Sequence, residues 1–323
     1  MLDACGKLGW MPAPITILPD LWFPARQPIR AVFGRRPNRV IPDLWFPRAG
    51  VLLSDPLLHQ QKIRPVPIGV SIAAINVSTL IATQAGTSGL FILHGRDVYC
   101  LSANHILSLN GLIPPGSPVI QPGFGDGGVV DLDNFAHNSF YQPFNTLANE
   151  IDVALAHVDI PSDAVLSILE NGIPTGRFRQ AAVGMQVQKS GRTTGLTQSF
   201  VVAVNAETNT PEIPGLLPAI HHVGQVVVDN PGQAFAAGGD SGAGVYDLDG
   251  NLVGVVSHTV ETNPDLVSCS PALSIALWLD SLFPPPPATG GTQRNDLPAV
   301  ILSVSALLLF LGIIEASRDS HVR

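Results

Sequence analysis

Short apolar runs recur through the middle of the chain, each broken by Gly, Pro, Asn or Asp before it reaches helical length. Leu90–His94, Val98–Leu101, Val153–Val158, Gln186–Lys189, Phe200–Asn205, Gln225–Asp229, Gly244–Tyr246 and Leu252–Ser257 read as strands. Asp249-Gly250 between the last two is a tight hairpin signal. One stretch in this region, Ala272–Phe283, has a helical period, with Leu273, Ile275, Ala276, Leu279 and Phe283 on or near one side. The pattern predicts an all-β fold with a C-terminal helix, which two packed barrels would fit.

The two ends of the chain differ from this middle. Residues 1–63 form a Pro/Arg-rich leader, expected to be poorly ordered. Pro19-Asp20-Leu21-Trp22-Phe23-Pro24 recurs in it as Pro42-Asp43-Leu44-Trp45-Phe46-Pro47. Two copies cannot make a solenoid. The repeat reads either as a docking or cleft-shielding motif or as a duplication without function. Residues 284–296 are a stiff-then-flexible Pro/Gly linker. Residues 297–314 carry no charge, and 18 residues at about 1.5 Å each just span a bilayer core. They are a candidate transmembrane helix followed by a short polar tail, 315–323. Membrane attachment is therefore expected, with the side unassigned; a soluble protein is the alternative. No secretory signal is visible at the N-terminus.

Charge narrows the partners. Residues 1–65 hold 9 Lys/Arg against 4 Asp/Glu, and the remainder 8 against 21, within a net charge of −8. An acidic main region argues against nucleic acid, which needs basic patches. Three cysteines, Cys5, Cys100 and Cys269, make no disulfide framework, and whether Cys100 pairs with Cys269 stays open. Asp247-Leu248-Asp249-Gly250-Asn251 reads as a hairpin turn rather than a calcium loop, since no later glutamate completes one. No metal or cofactor is expected.

The candidate chemistry lies in three places. Gly238-Gly239-Asp240-Ser241-Gly242 puts a serine on a glycine-flanked turn, where a carbonyl can approach and backbone N–H groups can converge. Ser102-Ala103-Asn104-His105 ends an apolar strand in a histidine, a base for that hydroxyl. Asp152 opens the run Val153-Ala154-Leu155-Ala156 and is the candidate to orient the imidazole; Glu150, two positions away, is the competing carboxylate. His, Asp and Ser occur in one of the chain orders known for such a constellation, separated by 47 and 89 residues.

These residues resemble the chymotrypsin/trypsin-like serine peptidase family. Gly191-Arg192-Thr193-Thr194-Gly195 is similar to a hairpin of its bacterial, alpha-lytic-type branch, and Leu252–His258 to the strand after the nucleophile. The resemblance covers roughly residues 64–283. It implies two six-stranded Greek-key barrels, about 64–175 and 176–283, and a serine endopeptidase acting on protein or peptide substrates. It implies Ser241 as nucleophile, His105 as acid/base, Asp152 as orienting group, and the N–H groups of Gly239 and Ser241 as oxyanion hole. It puts Phe235 at the base of the specificity pocket and Ser257, His258 and Thr259 along its wall. It has Ser257 bonded to Asp152, and leaves room for His258 to meet an acidic substrate side chain. The chain departs from the animal members in having Ile106 where they carry a cysteine. It also lacks their Ile-Val-Gly-Gly start, so the partner of Asp240 is not given. A non-catalytic binding module on the same fold, and a serine esterase, are the alternatives.

Overall fold

A computed structural model describes residues 16–18, 51–52, 54–210, 212, 217–260 and 262–284. The Pro-Asp-Leu-Trp-Phe-Pro repeat, Cys5, the linker beyond residue 284, the 297–314 run and the polar tail lie outside the described residues. Among the described residues no helix is long and apolar enough to cross a membrane.

The first half holds β1 (Thr16–Leu18), β2 (Val51–Leu52), β3 (Val66–Ile68), β4 (Ser71–Asn76), β5 (Ile81–Thr83), β6 (Gly86–Thr87), β7 (Leu90–His94), β8 (Asp97–Ser102), the one-turn helix α1 (Asn104–Leu107), β9 (Pro118–Ile120), β10 (Asn134–Tyr141), β11 (Ala154–Val158) and β12 (Ala164–Ile168). The second half holds β13 (Gln186–Gly191), β14 (Gly195–Thr210), β15 (Ile220–Asp229), β16 (Gly244–Asp247), β17 (Leu252–Val260), β18 (Asn263–Pro271) and the helix α2 (Ala272–Leu282). In the first sheet the order is β1-β5-β4-β9-β10-β11-β8-β7, with β6 on β4. In the second it is β13-β16-β17-β18-β15-β14-β2, and β13 also pairs with β14. That last pairing closes six strands into a barrel and removes their edges.

Two core clusters form, the first shared with Tyr246, Leu252, Val255 and Ile275 of the second half and the second lying wholly in the second half. Ile72, Leu101, Leu107, Ile113, Val119, Phe135, Val153 and Leu155 fill the first; Val187, Val226, Val228, Phe235, Val245, Val253 and Val256 fill the second. Helix α2 buries Ala272, Ile275, Ala276 and Leu279, an i, i+3, i+4, i+7 stripe. Phe283, just beyond it, stacks on His94 with ring centroids 4.6 Å apart. Leu273, expected on this apolar side, is instead exposed, because its place in the helical turn is off the stripe.

The folded chain starts earlier than residue 64. Pro56–Gln60 form a 3₁₀ turn whose first N–H, that of Leu57, donates to the Asp55 side chain at 3.0 Å. His59 of this turn is buried: its Nδ1 lies 2.8 Å from Gly69 O and its Nε2 3.1 Å from Glu170 Oε2. Residues 54–63 thus belong to the fold, through partners remote in sequence. The Asp247–Asn251 segment is the expected turn. The Asp247 carboxylate accepts from Asp249 N and Asn251 N at 3.0 and 2.9 Å, and Gly250 takes φ +84°.

Candidate active site

Strand β8 delivers the histidine. The small residues Ser102 and Ala103 let the chain turn into α1, and His105 is its second residue. Asp152 precedes β11, which pairs with β8 through Ala154↔Ser102, so the two residues arrive side by side. His105 Nδ1 donates to Asp152 Oδ2 at 2.7 Å, and His105 N donates to Asp152 Oδ1 at 3.2 Å. Both carboxylate oxygens therefore grip the same residue, which fixes the ring's plane and leaves Nε2 as the basic nitrogen. Asp152 is held in turn by its own N–H donating to Ser270 Oγ at 2.8 Å and by Ser257 Oγ donating to Oδ2 at 2.7 Å. Burial would raise the pKa of Asp152, but the imidazole and these donors outweigh it and hold it at about 2. Glu150 makes no such contact; its carbonyl accepts from Gln225 Nε2.

The serine comes from the second half. Its turn is built by hydrogen bonds from Asp240 N to Ala237 O and from Ala243 N to Asp240 O, at 2.9 and 3.0 Å. Gly239 and Gly242 take φ of +98° and +88°, which glycine alone adopts without strain. Ser241 Oγ donates to Ser257 O at 3.1 Å, and Ser241 O accepts from Thr87 N on β6 at 2.9 Å. His105 and Asp152 are thus brought together, and Ser257 touches both Asp152 and Ser241. Asp152 and Ser241 are fully buried and His105 is 4 % exposed.

Asp240 finds its partner inside the chain. Lys189, fully buried on β13, places Nζ 3.8 Å from Asp240 Oδ2. Thr194 bridges them, accepting from Nζ and donating to Oδ2 at 2.7 Å. The carboxylate also accepts from Thr193 N, Thr194 N and Ala237 N. Burial lowers the Lys189 pKa to about 8, with the Asp240 charge opposing, so the ammonium persists at neutral pH.

The expected pocket residues are spread more widely. Phe235 sits in the second core with its ring 5.7 Å from Lys189 Nζ, a cation–π contact. Ser257 lies at the site. His258 is buried and has both ring nitrogens engaged, Nδ1 with Ser257 Oγ at 3.0 Å and Nε2 with Thr208 Oγ1 at 3.0 Å. Since Ser257 donates its one proton to Asp152, it accepts from His258 Nδ1, and Thr208 donates to Nε2. Burial first, and then the neighbouring His222, push the His258 pKa well below the ordinary imidazole value. Thr259 is nearly buried in β17, opposite Val267 of β18.

Two residues escaped the sequence reading. One is Lys189. The other is His222, buried on β15, its ring tilted by 37° against that of His258 at 4.7 Å and edge-on to Phe144 at 5.9 Å. Burial lowers its pKa to about 4, against the pull of Asp152. Strand alternation was the available signal, since it sends neighbouring His221 outward and His222 inward. Cys100 and Cys269 are buried free thiols with raised pKa values, caused by burial alone, so no disulfide joins them.

The sequence pattern of the family described as Trypsin matches residues 67–270, more than half of the chain. The chain belongs to the trypsin family. Among solved structures it is similar to Protease A of Thermobifida fusca, at 16% identity, covering 66% of this chain and 96% of that one with a TM-score of 0.45. It is similar to a Cellulomonas bogoriensis chymotrypsin at 17% identity, with coverage of 66% and 95% and a TM-score of 0.43. It is also similar to a protease from M. tuberculosis in its active form, at 18% identity, with coverage of 83% and 99% and a TM-score of 0.42. None of the curated proteins matches the chain. Membership of the trypsin family makes proteins or peptides the expected substrate class.

Proposed function

We propose that the chain is a serine endopeptidase that cleaves peptide bonds through an acyl-enzyme. The observation that carries this reading is the double grip of Asp152 on His105, through Nδ1 at 2.7 Å and the backbone N–H at 3.2 Å, beside a serine on a glycine-flanked turn. Ser241 Oγ exchanges the Ser257 carbonyl for His105 Nε2, gives up its proton to it and attacks the substrate carbonyl carbon. The carbonyl oxygen becomes an oxyanion, met by the N–H groups of Gly239 and Ser241. Asp152, ionised at any pH well above 2, stabilises the imidazolium. His105 then passes the proton to the leaving amine; water repeats the sequence on the ester and frees the acid.

Ser241→Ala is expected to lower kcat on a peptide mixture by a factor on the order of 10⁶ while the unfolding curve stays in place. Equal cleavage by parent and variant overturns the assignment. The uncharged run 297–314 supports tethering of this peptidase to a membrane. Retention in the membrane pellet after alkaline carbonate washing, lost on deletion of 297–323, is the expected result; release of the full chain by the wash contradicts tethering.

A further inference from the structure

The peptide that joins Gly238 to Gly239 carries one of the two proposed oxyanion donors, and nothing in its own sequence fixes its plane. With glycine on both sides, no Cβ opposes a rotation that would exchange its N–H for its C=O. The plane is set from outside. Thr193 Oγ1 donates to Gly238 O at 2.5 Å. Because the peptide is planar and trans, fixing that oxygen on the Thr193 side fixes the Gly239 N–H on the opposite side.

The direction of the threonine proton is itself determined. Arg192 Nη1 donates to Thr193 Oγ1 at 3.2 Å, and a guanidinium accepts nothing, so the hydroxyl proton is left for Gly238 O. Arg192 is in turn forked onto Asp126, with Nε 2.8 Å from Oδ2 and Nη2 bonded to Oδ1. Asp126 is anchored on the first barrel by Ser71 Oγ at 2.5 Å. A Cβ on Gly239 would lie 2.4 Å from Thr193 Oγ1 and 3.0 Å from Arg192 Cδ, so this group packs directly against the peptide it holds. The next carbonyl, Gly239 O, accepts from Thr87 Oγ1 at 2.8 Å, and Thr87 Oγ1 accepts from Arg192 N at 3.0 Å. The same arginine therefore serves two consecutive peptides.

We propose that Thr193, backed by the Arg192–Asp126 fork, is the positioning residue of the oxyanion hole, holding the Gly238–Gly239 peptide with its N–H toward the substrate oxygen. This rests on the peptidase reading. The first barrel, which supplies His105 and Asp152, then also sets the electrophilic side of a site whose nucleophile lies on the second.

The test compares the full chain with Thr193→Val, Thr193→Ala and Thr193→Ser. The rate of Ser241 phosphonylation by a fluorophosphonate, whose phosphonyl oxygen seeks the same hole, is measured per folded molecule. The far-downfield proton of the His105–Asp152 bond is followed by NMR. Thr193→Val and Thr193→Ala are expected to react about 100-fold more slowly, as for a lost oxyanion donor, with the His105 proton unmoved. Thr193→Ser, which keeps the hydroxyl, restores the parent rate. Should the valine variant unfold, the alanine variant carries the comparison. Truncated variants that react at the parent rate overturn the proposal, and so does a loss that serine fails to restore. A parent chain that is folded but inert at Ser241 overturns the peptidase reading, and the positioning role falls with it.

Discussion

Gly242→Ala tests how closely the nucleophile turn of one barrel is pressed onto the other. A Cβ at Gly242 would lie 2.0 Å from Ser102 Oγ, 2.7 Å from Thr87 O and 2.8 Å from Ala103 N. All three belong to the first barrel, and two are backbone atoms that cannot turn aside. The residue also stands at φ +88°, where a side chain adds a backbone penalty of roughly 1–2 kcal/mol. Forcing one extra carbon into close packing adds about 1–3 kcal/mol. The expected loss is therefore about 2–5 kcal/mol, a large part of the 5–15 kcal/mol that typically holds a domain together. Gly95→Ala isolates the first contribution: Gly95 has φ +63° and nothing within 4 Å of the added carbon. Urea unfolding of the two variants against the parent reads both losses, and their difference is the cost of the contact. Equal losses in the two variants refute the claim that the barrels meet this tightly at the serine.

Other outcomes follow from the buried charges. Lys189→Met leaves the Asp240 carboxylate buried without its cation and is expected to cost about 3–5 kcal/mol in urea unfolding. Adding Asp240→Asn should return part of that loss, whereas simple additivity of the two changes speaks against coupling. Asp152 has a folded pKa of about 2, below the ordinary value of 3.8. Its contribution of roughly 2 kcal/mol is therefore complete above pH 3.8 and fades as pH falls through 2. Unfolding free energies between pH 5 and 1.5 should fall more for the parent than for Asp152→Asn, and parallel curves contradict the assignment. Cys100 and Cys269, both buried with raised pKa values, should resist iodoacetamide in the folded protein and react after denaturation, as mapped by mass spectrometry; modification of the native protein at either refutes their enclosure.

Much of the fold was legible because strands write themselves locally. Seven of the eight predicted strands lie inside observed ones and the eighth, Val153–Val158, overruns its strand by one residue, since alternation and turn residues act over a few positions. The bringing together of His105 and Asp152 was legible as well, because each ends or opens a strand and those strands pair. What escaped depends on partners far along the chain. Lys189 looks like any strand-face lysine until Asp240, 51 residues away, is folded against it. His59 looks like part of a charged leader until Gly69 and Glu170 enclose it. The turn that carries Phe235 into the core likewise depends on a side chain outside the motif, Asn230, which accepts from Phe235 N and Ala236 N.

The most direct test of the central claim is fluorophosphonate labelling of the full chain, with the adduct located by peptide mapping. The account predicts one phosphonylated residue, Ser241, with labelling abolished in both Ser241→Ala and His105→Ala. A folded protein that takes up no label, or that is labelled elsewhere, contradicts it.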